Sequence, residues 1–308
     1  MDVVVGAGAV GQNVVERLLE AGRQVRVVTR SGKAVLPDSV EVVRADVTDP
    51  AAAERACRGA DTVFGCVGLP NYEHWPELWP PLMEGMLHGA ESVGALFIFM
   101  DNLYMYGPTD RSRTEDMPLT DYGAKPAVRA KITRMWQKAH GAGRVRTAAV
   151  RASDFYGPGV TLAALGEPTF GRLTRGKPAQ VFGDPDQPHS FTYVPDVGRA
   201  MLSVADAGER AHGQAWHVPN APDQTVRQIL TAFADQVGVE PKIQALPRSL
   251  MTVLGLFNPT VRESKEMLYQ WDRPFQVDHS KFAESFWDDP TPLVEGIAAT
   301  AHWYLNRE

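Results

Sequence analysis

One run of six residues, Gly6-Ala7-Gly8-Ala9-Val10-Gly11, constrains the fold of this chain more than any other stretch. It follows a short β-branched segment, Asp2-Val3-Val4-Val5, and opens a stretch from about Val10 to Ala21 in which Val14, Val15, Leu18 and Leu19 share one helical face before Gly22. Gly6 permits the tight turn from strand to helix, Gly8 lets backbone come close to a ligand, and Gly11 lets helix and strand pack together. The unpaired N–H groups at the head of such a helix attract phosphate. In this setting the G-x-G-x-x-G spacing predicts a dinucleotide site lined by Gly6, Gly8, Ala9, Val10 and Gly11.

Further β-branched runs at Val25–Thr29, Val40–Val43, Thr62–Val67, Leu96–Met100 and Val145–Val150 alternate with helical or mixed segments. That rhythm predicts an α/β fold, a doubly wound parallel-sheet Rossmann domain. After Arg151 the alternation weakens, and Gly and Pro crowd the stretch from Gly157 to Pro188. We therefore expect a dinucleotide-binding domain over 1–158 and about 186–218, with a smaller C-terminal substrate-binding lobe over about 159–185 and 219–308.

The end of the second strand reads Val28-Thr29-Arg30-Ser31-Gly32-Lys33. An NAD site would usually offer a carboxylate to the ribose here. Instead Arg30 and Lys33, with Thr29 and Ser31, suit a 2′-phosphate and favour NADP(H), unless both cations are simply solvated loop charges. Asp46-Val47, after the third strand, stands where an adenine amino group would be met.

A net charge of −6 leaves no basic surplus for nucleic acid. The two cysteines, Cys57 and Cys66, lie in the dinucleotide-binding half and fit a reducing compartment. The N-terminus shows no signal-peptide pattern, and the apolar stretch Val93 to Met100 is far short of the ~20 residues of a membrane span. A cytoplasmic protein without a membrane partner is expected. His212 and His217 are five apart with no carboxylate or cysteine array, so no metal is expected, and Ser153 lacks the G-x-S-x-G setting of a hydrolase nucleophile.

Several later segments resemble the extended short-chain dehydrogenase/reductases, the NAD-dependent epimerase/dehydratase family, and especially its atypical members. Arg151-Ala-Ser-Asp-Phe-Tyr-Gly-Pro-Gly159 is similar to that family's R-P-x-x-x-Y-G-P-G, Phe191-Thr-Tyr-Val-Pro-Asp-Val-Gly-Arg-Ala200 to its F-x-Y-V-x-D-x-A-x-A, and Pro290-Thr-Pro-Leu-Val-Glu-Gly296 to its closing helix entry. The resemblance implies that Cys66-Val67-Gly68 lies against the cofactor and that Arg151-Ala152-Ser153 flanks the nicotinamide. It also implies a homodimer through the helix of about Pro126 to Ala139, whose Val128, Ile132, Met135, Trp136 and Ala139 share a face; a purely intramolecular core face is the competing reading.

The chain departs from the family in three places. Val5 stands where the usual G-x-x-G-x-x-G begins. The Tyr-x-x-x-Lys pair is missing, since Tyr122-Gly123-Ala124-Lys125-Pro126 places the lysine three residues on and a proline fourth. A helix beginning at Pro126 would leave Tyr122 outside its first turn. Aligning Met105-Tyr106-Gly107 with the family's V-Y-G puts Asn102 in the place of the catalytic hydroxyl; an amide polarises a carbonyl but relays no hydroxyl proton. The candidates are then Tyr104 or Tyr122 as proton donor, Lys125 as electrostatic partner, Asn102 as carbonyl anchor and Asp101 as a further acid or base.

The segment Pro70-Asn-Tyr-Glu-His-Trp-Pro-Glu-Leu-Trp-Pro-Pro81 is rich in aromatics for a loop at a strand's C-terminal edge. Tyr72, Trp75 and Trp79 would line a substrate site with Tyr104, unless they begin a core helix, and Met267, Tyr269 and Trp271 would close the other side. The expected activity is NADPH-dependent reduction, or the reverse, of a small to medium hydrophobic or aromatic carbonyl compound. A redox-neutral epimerase or dehydratase that retains its cofactor, and a catalytically silent dinucleotide sensor, are the alternatives.

Overall fold

Val3, Val4 and Val5 are buried at the centre of a parallel sheet because helices cover both of its faces. The computed structural model describes residues 1–246 and 259–307. Seven strands, β1 (Asp2–Val5), β2 (Val25–Thr29), β3 (Glu41–Arg44), β4 (Thr62–Gly65), β5 (Leu96–Asp101), β6 (Thr147–Arg151) and β7 (Ala215–His217), run parallel in the order β7-β6-β5-β4-β1-β2-β3. The chain reverses its direction of sheet growth between β1 and β4, which opens a crevice at the C-terminal strand ends.

Alternate strand residues feed two cores, as a two-residue period requires. Val3, Val5, Val63, Phe97 and Phe99 meet α2 (Pro50–Cys57), α3 (Trp75–Val93) and α4 (Ala124–Gly141). Val4, Val27, Phe64, Ile98 and Val150 meet α1 (Ala9–Glu20) and α5 (Val194–Asp206) on the opposite face. Strand ends expected from sequence shift by one or two residues: β3 starts at Glu41, β4 stops at Gly65 and β6 starts at Thr147.

Helix α4 starts at Ala124, ahead of the expected Pro126. The proline sits in the first turn, where its missing N–H leaves no ladder bond unmade. Val128, Ile132, Trp136 and Ala139 are buried within the chain, and Met135 packs against the same core. The stripe considered for pairing across a dimer is therefore intramolecular core.

Beyond β6 the chain forms three short pairs: Asp154–Tyr156 with Phe191–Tyr193, Ala179–Phe182 with Ile243–Leu246, and Pro188–His189 with Gln224–Thr225. A third core, including Leu165, Phe170, Phe233 and Tyr304, joins these to α6 (Val226–Val237) and the C-terminal helix Leu293–Asn306. Helix α6 is capped at both levels: Thr225 Oγ1 accepts from Gln228 N at 3.1 Å, and Gln228 Oε1 accepts from Thr225 N at 2.8 Å. Among the described residues, no helix is long and apolar enough to cross a membrane.

Candidate active site

The turn from β1 into α1 is held by close backbone packing. Gly6 has φ +104°, and a Cβ there would lie 2.7 Å from the Cys66 carbonyl oxygen; a Cβ on Gly11 would lie 2.1 Å from the Gly6 carbonyl oxygen. A Cβ on Gly8, by contrast, would meet nothing within 4 Å. Gly8 is also the N-cap, and among the described residues no side chain caps the free N–H groups of the first turn. Space and unpaired donors coincide at this point, which fits a pyrophosphate. Val10 and Gly11 face the core, so their part is backbone, whereas Ala9 stands 3.6 Å from the Cβ position of Gly159 in the overlying loop.

Beyond β2, Ser31 Oγ accepts from Lys33 N at 3.2 Å and Thr29 Oγ1 stands 3.5 Å from Ser31 Oγ, winding a tight turn. Arg30, Ser31 and Lys33 are exposed, and among the described residues neither cation makes an ion pair. Asp46, fastened by Thr48 N at 3.0 Å and Thr48 Oγ1 at 2.7 Å, is held below the usual carboxylate range by those bonds, with Arg30 a lesser influence. Val47 departs from expectation: its side chain is core, and its carbonyl faces Gly85 of α3.

The other end of the crevice is made of side chains. Tyr104 follows β5 in a short 3-10 turn, and its hydroxyl lies 3.0 Å from that of Tyr72. Trp75 stacks behind Tyr104 at 6.0 Å between ring centroids and is anchored by its Nε1 donating to Leu69 O at 2.9 Å. Burial pushes both hydroxyls up, Tyr104 well above the usual phenol range. Asn102 Oδ1 accepts from Tyr104 N at 3.1 Å, so the amide shapes the turn that presents the tyrosine.

Other candidates are placed differently from expectation. Asp101 is 1 % exposed and paired with the Arg129 guanidinium, with Arg151 3.7 Å away; it is a structural counter-ion, not an acid or base facing a ligand. Tyr122 is 43 % exposed and outside α4, while Lys125, buried in the first turn, is paired with Glu263 and Glu266. The pair does not form because the helix starts after the tyrosine. Trp79 belongs to the core, edge-on to Phe99 under Arg129, and Trp75 backs the wall without forming it. Trp271 stacks on His189 at 4.6 Å inside the third core.

Residues placed beside the cofactor by resemblance also turn inward. Cys66 is buried beneath the Gly6 turn, its thiol pushed up by burial, leaving Val67 half-buried and Gly68 exposed at the crevice. Arg151 donates to Tyr106 Oη at 2.5 Å, Ala152 N donates to Asp101 O at 3.1 Å, and Ser153 Oγ donates to Ser190 O at 2.5 Å. These three offer a ligand backbone at most.

Residues 3–218 match the NAD dependent epimerase/dehydratase family. The chain belongs to that family. Among its relatives, dTDP-4-dehydrorhamnose reductase of Mycobacterium tuberculosis is 30% identical over 252 residues, 78% of this chain and 76% of the relative. The 3beta-hydroxysteroid-dehydrogenase/decarboxylase isoform 2 of Arabidopsis thaliana is 23% identical over 92% of this chain, which spans only 56% of that relative's length. UDP-glucuronic acid 4-epimerase of Bacillus cereus, solved with NAD, superposes with a TM-score of 0.79 at 16% identity, covering 99% of this chain and 98% of the other; that likeness is one of fold. Family membership accounts for the extended short-chain dehydrogenase/reductase architecture and for a nicotinamide-dinucleotide cofactor.

Within this epimerase/dehydratase fold, sequence reasoning missed Arg129, Arg113, Asp154 and His189. Arg129 carried a signal, since it lies one helical turn after Lys125 and on the same face. The others come from unrelated segments and had none. His189 Nε2 stands 3.0 Å from Asp154 Oδ2, and Arg113 covers Phe275 at 3.6 Å.

Proposed function

We propose that the chain is an NADP(H)-dependent reductase of a small to medium carbonyl compound with a hydrophobic or aromatic body, and that Tyr104 donates the proton. The observation carrying this reading is the Tyr104–Tyr72 hydroxyl pair, 3.0 Å apart in an aromatic wall beside the C-terminal end of β5. The Gly6–Gly11 turn would hold the pyrophosphate, and Arg30 and Lys33 the 2′-phosphate. The bound reduced nicotinamide supplies the hydride.

Tyr104 holds a proton at its hydroxyl, and Tyr72 keeps that hydroxyl in one orientation. Because burial raises its pKa, Tyr104 stays protonated at neutral pH and suits protonation of an alkoxide better than removal of a proton from an alcohol. A catalytically silent sensor would gain nothing from the paired hydroxyls.

A homodimer would have to use outward faces, because the inner stripe of α4 is covered. Exposed Lys131, Arg134 and Lys138 of α4 offer charges that complement Glu77 and Glu84 of α3. Two buried free cysteines, Cys57 and Cys66, support a reducing, cytoplasmic setting. The function is tested by mixing the protein with NADPH and a panel of aromatic aldehydes and ketones while following reduced-nicotinamide absorbance. Stoichiometric NADPH loss with alcohol formation is expected. Substrate conversion with no net loss of NADPH would transfer the assignment to the redox-neutral class.

A further inference from the structure

Arginines 113, 129 and 151 are all buried, yet they are not equivalent. Arg129 is paired with Asp101, and Arg151 stands 3.7 Å from the same carboxylate while donating to Tyr106. Arg113 is 0 % exposed and makes no ion pair among the described residues; its Nε and Nη2 make no hydrogen bond, and Nη1 reaches only Gln276 O at 3.5 Å. Its backbone is fixed nonetheless, with Arg113 N donating to Gln276 O at 2.9 Å and Asp278 N donating to Arg113 O at 2.9 Å.

The guanidinium lies over Phe275, its carbon 3.6 Å from the ring centroid, and Phe275 is backed by His189 at 4.8 Å and Trp271 at 4.6 Å beyond it. With one flat face covered, what remains is an edge carrying two parallel donors, the arrangement that grips carboxylate or phosphate. Tyr269, whose buried hydroxyl also lacks a hydrogen-bond partner among the described residues, packs in one cluster with Phe275, Tyr72 and Tyr104. Arg113 lies over the Phe275 ring of that cluster, so it borders the proposed proton donor. Asp154, the nearby carboxylate, is engaged by His189.

We propose that Arg113 and Tyr269 form an oxyanion-holding wall of the substrate cleft, so that the carbonyl substrate carries a carboxylate or phosphoryl group gripped by Arg113 Nε and Nη2. The inference deepens the reductase reading and rests on it for the place of the carbonyl. A charge buried without a partner is costly unless a ligand completes it, and here the other two buried arginines share the Asp101 carboxylate while Arg113 has none among the described residues. Burial lowers the Arg113 pKa to about 10, which still leaves the group cationic at neutral pH.

The test is binding, read by calorimetry on protein saturated with NADP⁺. Phenylpyruvate is compared with phenylacetone, the same ketone with methyl in place of carboxylate, and inorganic phosphate is tested as a competitor. Phenylpyruvate should bind roughly tenfold or more tighter than phenylacetone, and Arg113→Met should remove that difference while leaving phenylacetone and NADP⁺ affinities unchanged. Displacement by inorganic phosphate in the absence of a carboxylate preference would assign the wall to a phosphoryl group. Equal affinity for the two ketones with no competition by phosphate would overturn the proposal, as would a preference that survives Arg113→Met. Should that variant fail to fold, the wild-type comparison and Tyr269→Phe, expected to weaken only the anion, still decide. Charged-ligand preference without NADPH turnover would sink the reductase reading alone.

Discussion

The two ends of the crevice are built on different terms. At the β1–α1 turn the shape is a matter of backbone, with Gly6 at φ +104° and Gly11 pressed on the Gly6 carbonyl, all within six consecutive residues. At the Tyr104 wall the shape comes from side chains: Tyr72, Tyr104, Arg113, Asp154, His189 and Tyr269 arrive from five separate stretches of chain. A phosphate recognised by main-chain N–H groups needs a local conformation, while a carbonyl and its proton need functional groups placed by the whole fold.

That difference can be broken experimentally. The largest effect is expected from Gly11→Val, whose side chain has no room against the Gly6 carbonyl: about 3 kcal/mol or more of stability lost in urea denaturation, together with cofactor binding. Gly8→Ala separates the two consequences. Its Cβ meets nothing in the protein, so stability should fall by about 1 kcal/mol or less while dinucleotide affinity drops.

Next comes Tyr104→Phe, which keeps the stack on Trp75 and removes the hydroxyl. Turnover should fall by about 10²–10⁴-fold with unchanged NADPH affinity and only ~1 kcal/mol of stability lost. Tyr122→Phe, at an exposed position outside α4, should retain most activity. The reverse ranking would move the proton donor to Tyr122.

Smaller still is a pH effect away from the crevice. His217 is buried between Tyr106 Oη, 2.8 Å from Nε2, and Asp278 O, 2.8 Å from Nδ1, with Arg151, Lys281 and Glu115 around it. Burial, reinforced by Arg151, lowers its pKa from 6.5 to about 3. The unfolded chain therefore takes up a proton first, so this contribution is complete above pH 6.5 and shrinks as pH falls from there towards about 3, by ~1.4 kcal/mol per pH unit. Denaturation midpoints measured at neutral and mildly acidic pH should show the decline, and His217→Gln should flatten it. A slope unchanged by the substitution would assign it to other groups.

The contrast also explains what could be read in advance. Helix α1, expected over about Val10 to Ala21, spans Ala9–Glu20 because its period and its terminating glycine are adjacent in sequence. The inward stripe of α4 was visible for the same reason, yet whether it met another chain or its own core was not. Trp75 and Trp79 looked like a ligand wall because aromatics near a strand end serve either purpose; only the packing of α3 on Phe99 decides. Lys125 was matched with Tyr122 by spacing, but its partners are Glu263 and Glu266, over a hundred residues away. No local pattern announces an arginine that lacks a counter-ion, and Arg113 became visible only once its neighbours were known.

Calorimetric titration of the wild-type protein and of the Arg30→Ala/Lys33→Ala variant with NADPH and with NADH tests the central claim most directly. The wild type should take NADPH roughly tenfold or more tighter than NADH, and the variant should lose that preference while keeping NADH affinity. Uptake of neither nucleotide by the wild type, or a tighter grip on NADH, would contradict it.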